Sequence, residues 1–206
     1  MKAAVYYQTG GPEVLRYEDL PDPSCGSREV KVDVKAIAVE GGDVLNRAHG
    51  EKPGDAFVVG YTAAGVVVET GAEIDGIKLG DRVTTVSFAG SHAEQRVAPG
   101  FGCWALPDSV SFDHCACLPV TFVSALVALF EFGRLLQGET VLIQGGAGGV
   151  GVACAVTTRR GVFLLRAACS GRAPEHLSEI LANFESGPTS GRVPRSEAQL
   201  RGRAVH

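Results

Sequence analysis

The chain has 206 residues, a formal net charge of −4 and 45% apolar residues, enough for the core of one large domain or two small ones. An acidic balance excludes any overall attraction to nucleic acid or an anionic membrane, and the opening Met1-Lys2-Ala3-Ala4-Val5-Tyr6-Tyr7 lacks the apolar segment of a signal peptide. Charge is uneven, because residues 155–206 carry eight arginines against four glutamates and no lysine or aspartate.

In chain order, residues 2–7, 14–19 and 29–39 read as strands, separated by the turn signals Gly10-Gly11-Pro12 and Pro21-Asp22-Pro23. The clearest is 29–39, where Val30, Val32, Val34, Ala36 and Ala38 alternate with Lys31, Asp33 and Lys35. Gly41-Gly42-Asp43 opens a short helix over Val44–Ala48, ended by Gly50. Strands are then expected at 57–60, 64–69, 82–87 and 91–97 between glycine turns. Short strands at this spacing argue for a closed or nearly closed β-barrel.

After Pro107-Asp108 the period changes. Ser111 or Asp113 can cap a helix entry. Leu118-Pro119-Val120 restarts the chain, and 124–136 is apolar at helical spacing. The apolar run 115–130 is broken by Pro119, Thr121 and Ser124, so a buried helix fits it better than a membrane span. Six cysteines without a CxxC pair read as reduced thiols and suit a cytoplasmic protein.

Glu139–Gly151, read ETVLIQGGAGGVG, carries the most chemistry. The β-branched run Thr140–Ile143 suits a buried strand. Gly146-x-Gly148-x-x-Gly151 suits the turn from that strand into a helix, where a backbone without Cβ atoms approaches a pyrophosphate. A GxGxxG match alone is a weak signal. Downstream, 152–160 reads as a helix despite the poor helix formers Val156-Thr157-Thr158. A second strand is expected at 162–165 and an amphipathic helix at 174–184. About 20 positions past the turn stand Cys169, Ser170, Gly171 and Arg172. No acid is there to repel a 2′-phosphate, and Arg172 would accept one.

Several motifs recur together: Gly11-Pro12-Glu13-Val14-Leu15, Val34-Lys35-Ala36-Ile37, Gly60-Tyr61-Thr62-Ala63-Ala64-Gly65, Gly80-Asp81-Arg82-Val83, Leu118-Pro119-Val120 and Ala147-Gly148-Gly149-Val150-Gly151. In that order and spacing, the first 151 residues resemble the medium-chain dehydrogenase/reductase superfamily, in its zinc-independent quinone oxidoreductase (zeta-crystallin-like) branch. The resemblance implies a mixed β and α/β fold: a GroES-like β-barrel over 1–120, then an incomplete Rossmann (doubly wound α/β) domain over 121–186. Residues 187–206 are expected to form a disordered tail. A doubly wound domain has about six strands, so the Rossmann part is expected to be truncated, with the edges of strand 140–143 left open.

Chemically the resemblance implies hydride transfer from NADPH, or NADH, to a quinone or α,β-unsaturated carbonyl held in a cleft. Asp43, Arg47 and Tyr61 are the catalytic candidates. Ser124, Gly145, Gly146, Ala147, Gly148, Gly149, Val150, Gly151 and Arg172 are the cofactor candidates. No metal is expected, since Glu40, Tyr61 and Thr62 stand where the zinc-dependent branch has a cysteine and a histidine–glutamate pair. Glu40 also replaces the asparagine usual in the quinone-reductase branch. Beyond a quinone or enone substrate the reading implies no nucleic-acid or membrane partner and allows a homodimer. The alternative is a non-catalytic, truncated remnant that binds a partner at most.

Plainer readings compete elsewhere. His114, Cys115 and Cys117 lack a fourth ligand at a recognised spacing and read as a helix with buried thiols. His92 and Glu94 share one side of a strand, as an acid/base pair or as a solvated edge.

Overall fold

The computed structural model describes residues 1–51, 55–160, 164–168 and 202–204. It divides into two compact units, Met1–Val120 and Thr121–His206.

The first unit is built from β1 (Lys2–Tyr6), β2 (Arg16–Asp19), β3 (Glu29–Ala38), α1 (Gly41–His49), β4 (Phe57–Val58), β5 (Thr62–Thr70), β6 (Arg82–Val86), β7 (Gln95–Pro99), β8 (Cys103–Ala105) and α2 (Phe112–Ala116). Two antiparallel sheets result, in the orders β2-β1-β4 and β7-β3-β5-β6-β8. The segment 92–94 ties them into a barrel. Ala4 N–H donates to the His92 carbonyl at 2.8 Å, Glu94 N–H to the Lys2 carbonyl at 3.0 Å and Val34 N–H to the Glu94 carbonyl at 2.9 Å. The strand expected over 91–97 therefore begins only at Gln95. Its first residues bond to β1 before the remainder joins β3.

Alternation along β3 buries Val30, Val32 and Ala38, but Val34 and Ala36 are only half-buried. The register against β5 slips between Lys31 and Val32 and again between Val34 and Ala36, and each slip turns the strand away from strict alternation. Val30, Val32, Val67, Val83, Ala98 and Cys103 form the barrel core. Ala64, Cys115 and Ala116 form a second cluster where α2 meets the sheet. Of the two capping candidates it is Ser111 that accepts the His114 N–H, at 3.4 Å.

The second unit opens with α3 (Leu118–Leu126), continues as a π-helical segment (Val127–Phe132) and enters β9 (Thr140–Gln144), α4 (Gly149–Arg160) and β10 (Leu164–Ala168). The expected helix over 124–136 starts six residues earlier, because Pro119 sits in its first turn, where a missing N–H costs nothing. It stops at Gly133, whose N–H reaches back five residues to the Ala128 carbonyl at 2.9 Å. β9 pairs in parallel with β10 and, on its other side, with β11 (Gly202–Ala204), so its edges are not open as expected. Those three residues are the described part of 187–206, and they pair as strand where a disordered tail was expected. The remainder of the tail and the helix expected at 174–184 lie outside the described residues. Thr158 is accommodated in α4 because its hydroxyl donates to the Cys154 and Ala155 carbonyls at 2.9 and 3.1 Å. The unit's core is Ala125, Leu129, Val141, Ile143, Ala153, Cys154 and Ala155.

Candidate functional site

In the first unit the candidate residues gather where α1 leaves β3. Glu40 precedes the helix, and its N–H donates to Asp43 Oδ2 at 2.8 Å. Asp43 is thereby buried, with 6% of its surface exposed, and closes the first turn as a capping carboxylate does. His92 Nε2 stands 4.0 Å from the same Oδ2, too long for a hydrogen bond, and has no hydrogen-bond partner among the described residues. Glu94 instead accepts the Lys2 N–H at 2.7 Å. Of the two readings of His92 and Glu94, the acid/base pair does not form: His92 faces Asp43 and Glu94 bonds Lys2. Burial raises the Glu40 carboxyl above its ordinary value, Asp43 adds to the rise, and a 3.4 Å hydrogen bond from Thr62 Oγ1 opposes it.

Tyr61 and Arg47 complete the cluster. Asn46 Nδ2 donates to the Tyr61 phenol oxygen at 2.6 Å. Arg47 carries a buried Nε without a hydrogen-bond partner among the described residues. Neighbouring Tyr6 is pushed up by burial, with Tyr61 adding to the rise and Arg47 opposing it. Beneath Tyr61 lies Arg96, with 1% of its surface exposed. Its Nη1 donates to the Tyr61 carbonyl at 3.0 Å and to Thr85 Oγ1 at 3.2 Å, and its Nη2 to the Ala89 carbonyl at 3.1 Å. No carboxylate pairs with Arg96 among the described residues, and burial lowers its pKa to about 10.

In the second unit the glycine turn joins β9 to the 12-residue α4. Gly145 takes φ +66°, a left-handed conformation suited to glycine. Gly148 N–H donates back to its carbonyl at 2.9 Å. A Cβ on Gly151 would strike that carbonyl and lie 2.8 Å from Gly146 Cα, so the helix can pack against its turn only with glycine here. The first-turn N–H groups of α4 point away from the helix body without carbonyls ahead of them, and no acidic residue stands in that turn. This cradle fits the pyrophosphate of a dinucleotide.

The structure therefore brings Asp43, Arg47 and Tyr61 together in one cluster. It places Gly145, Gly146, Ala147, Gly148, Gly149, Val150 and Gly151 on one turn and helix start. Ser124 is exposed on α3, and from the same helix the Thr121 methyl lies 3.1 Å from where a Gly149 Cβ would be. Arg172 lies outside the described residues. Sequence reading passed over Asn46 and Arg96; only the pairing of strands shows that each holds Tyr61. Among the described residues no group of three or more His, Cys, Asp or Glu side chains could hold a metal ion.

Fold and site together define a GroES-like barrel followed in the chain by a partial Rossmann-like βαβ unit. The alcohol dehydrogenase GroES-like domain family matches residues 26–120. Quinone oxidoreductase-like protein 2 of Rattus norvegicus is 37% identical over 154 residues, 74% of this chain and 43% of its own length. The crystal structure of human synaptic vesicle membrane protein VAT-1 homolog-like protein superposes with TM-score 0.83 at 30% identity, covering 87% of this chain and 59% of that one. A mycobacterial protein solved in complex with NADPH gives TM-score 0.79 at 30% identity, covering 87% and 56%. The chain belongs to the medium-chain dehydrogenase/reductase superfamily, in its quinone oxidoreductase branch. It spans about half the length of the curated relatives it matches.

Proposed function

We propose that this chain acts in an NADPH-dependent, zinc-independent reduction of a quinone or α,β-unsaturated carbonyl. The observation that carries the reading is the turn from Gly145 to Gly151, where a left-handed residue and a forbidden Cβ leave bare backbone at the start of α4. Residues 145–151 would hold the pyrophosphate, and Ser124 would offer a hydroxyl to the cofactor. Arg172 would favour NADPH over NADH by meeting the 2′-phosphate. The bound nicotinamide supplies the hydride. The chain's share is to bind, to orient and to polarise. Tyr61 donates its O–H to the substrate carbonyl, Arg47 adds positive charge beside it, and Asp43 fixes the helix that carries Arg47. The zinc-free part of the reading is supported by Tyr61 and Thr62, which stand where the zinc-dependent branch has its histidine–glutamate pair and bond instead to Asn46 and Glu40. The domain limits 1–120, 121–186 and 187–206, a small-molecule substrate and a cytoplasmic setting go with this reading. Among the described residues no helix is long and apolar enough to cross a membrane.

Calorimetric titration with NADPH tests the reading, alongside NADPH consumption with 9,10-phenanthrenequinone in the presence of a chelator. Micromolar binding is expected, weakened at least tenfold in Gly151→Ala, and turnover should be indifferent to the chelator. A second reading, a non-catalytic subunit that binds a partner, is favoured by the exposed Val123, Phe132, Leu136 and Leu142 of the second unit. Absence of heat with millimolar NADPH would decide for it.

A further inference from the structure

We propose that Asn46 is a positioning residue for Tyr61, setting its hydroxyl as a fixed hydrogen-bond donor that selects ligands presenting an acceptor oxygen. The inference rests on the reading of Tyr61 as the group that meets the substrate carbonyl. A phenol oxygen can both accept and donate. Asn46 Nδ2 donates to it at 2.6 Å, which occupies its accepting side and leaves the O–H to point at something else. A ligand carbonyl, with lone pairs and no proton, fits that arrangement.

Two further features show that the tyrosine is held at both ends. Its backbone carbonyl accepts from Arg96 Nη1 and from Ser87 N–H, both at 3.0 Å. Arg96 is itself buried and anchored on Thr85 and Ala89. The Tyr61 ring lies across the first turn of α1 in a notch that exists because residue 42 is glycine. A Cβ there would come within 2.5 Å of Tyr61 Cε2 and 3.0 Å of the hydroxyl. A side chain fixed in this way loses little freedom when a ligand arrives, so its hydrogen bond counts more fully toward binding. Asn46 itself is exposed and its side chain bonds to Tyr61, so the double variant separates an effect that runs through Tyr61 from one that does not.

The test uses the full chain and its Asn46→Ala, Tyr61→Phe and double variants. Affinity for 9,10-phenanthrenequinone and for NADPH is measured separately by calorimetry, and thermal unfolding confirms that each variant folds. Tyr61→Phe should weaken quinone binding about tenfold. Asn46→Ala should weaken it by about threefold to fivefold, and the double variant should be no weaker than Tyr61→Phe alone. The tyrosine Fermi doublet in the Raman spectrum should shift in Asn46→Ala toward a phenol that has lost a donor. NADPH affinity should be the same in all four proteins. Additive losses in the double variant, or an Asn46→Ala variant with wild-type quinone affinity, would overturn the proposal. If the wild type binds NADPH but not the quinone, the proposal falls while the nucleotide reading stands; if it binds neither, both fall.

Discussion

β5 and β9 both lie inside their sheets with a strand on each side, yet they are buried in opposite ways. β5 opens with Thr62, Ala63, Ala64 and Gly65, four small residues that are all buried. β9 is made of larger apolar residues, but only Val141 and Ile143 are buried, while Leu142 is 38% exposed and Gln144 is exposed. Neighbours, and not side-chain size, decide the outcome. Small residues in β5 let α2 come down on one face, where Ala64 meets Cys115 and Ala116, while the barrel interior covers the other. β9 has its helical cover on the Val141 and Ile143 face, from Ala125, Leu129 and Ala153.

Removing that cover should give the largest effect. Leu129 is 2% exposed at the centre of the second unit's core. Leu129→Ala should cost about 4 kcal/mol and speed hydrogen exchange in β9 without changing it in β3. Equal acceleration in both strands would break the contrast, since it would mean that the two units unfold together.

A smaller effect should follow from Glu40 in the barrel unit. Its raised carboxyl favours the protonated form in the folded chain. As pH climbs from the ordinary glutamate value through the raised one, the native state therefore loses stability, and above that window the loss is constant. Glu40→Gln should unfold at a higher temperature than the wild type near neutral pH, and the gap should close below about pH 4. A gap that widens in acid would assign the rise to the wrong group.

The smallest effect should come from Leu142, on the more exposed face of β9. Leu142→Lys should change stability by no more than about 0.5 kcal/mol in urea unfolding. A loss above about 2 kcal/mol would show that this face is covered, and β9 would then resemble β5.

The same contrast marks what the sequence makes legible. Alternation in β3 and the glycine turn after β9 are local patterns, so the barrel strands and the cradle follow from composition and spacing. Non-local choices are hidden. Segment 92–94 bridges β1 and β3, and nothing in Ser91-His92-Ala93-Glu94 announces it. His92 and Glu94 consequently part company, one toward Asp43 and the other toward Lys2. Asn46 reads as one polar residue on a short helix until β5 delivers Tyr61 beside it. Pro119 reads as a break until the helix is seen to begin one residue before it. The match of residues 26–120 to a known family ends where the second unit begins, and there the glycine turn is joined by a structural likeness that covers 87% of the chain.

The tie between residues 2–4 and 92–94 also has a consequence for synthesis. Lys2 N–H must meet a carboxylate 92 positions along the chain, so the first strand cannot dock until that stretch has left the ribosome. At roughly 5–20 residues per second the nascent N-terminus waits about 5–20 seconds. During that interval β1 can pair only with β2 and β4, and its Ala3, Val5 and Tyr6, all buried in the finished barrel, stay open to chaperones. Closure of this barrel is a late event by geometry, and slow translation past residue 94 would prolong the exposure of its own beginning.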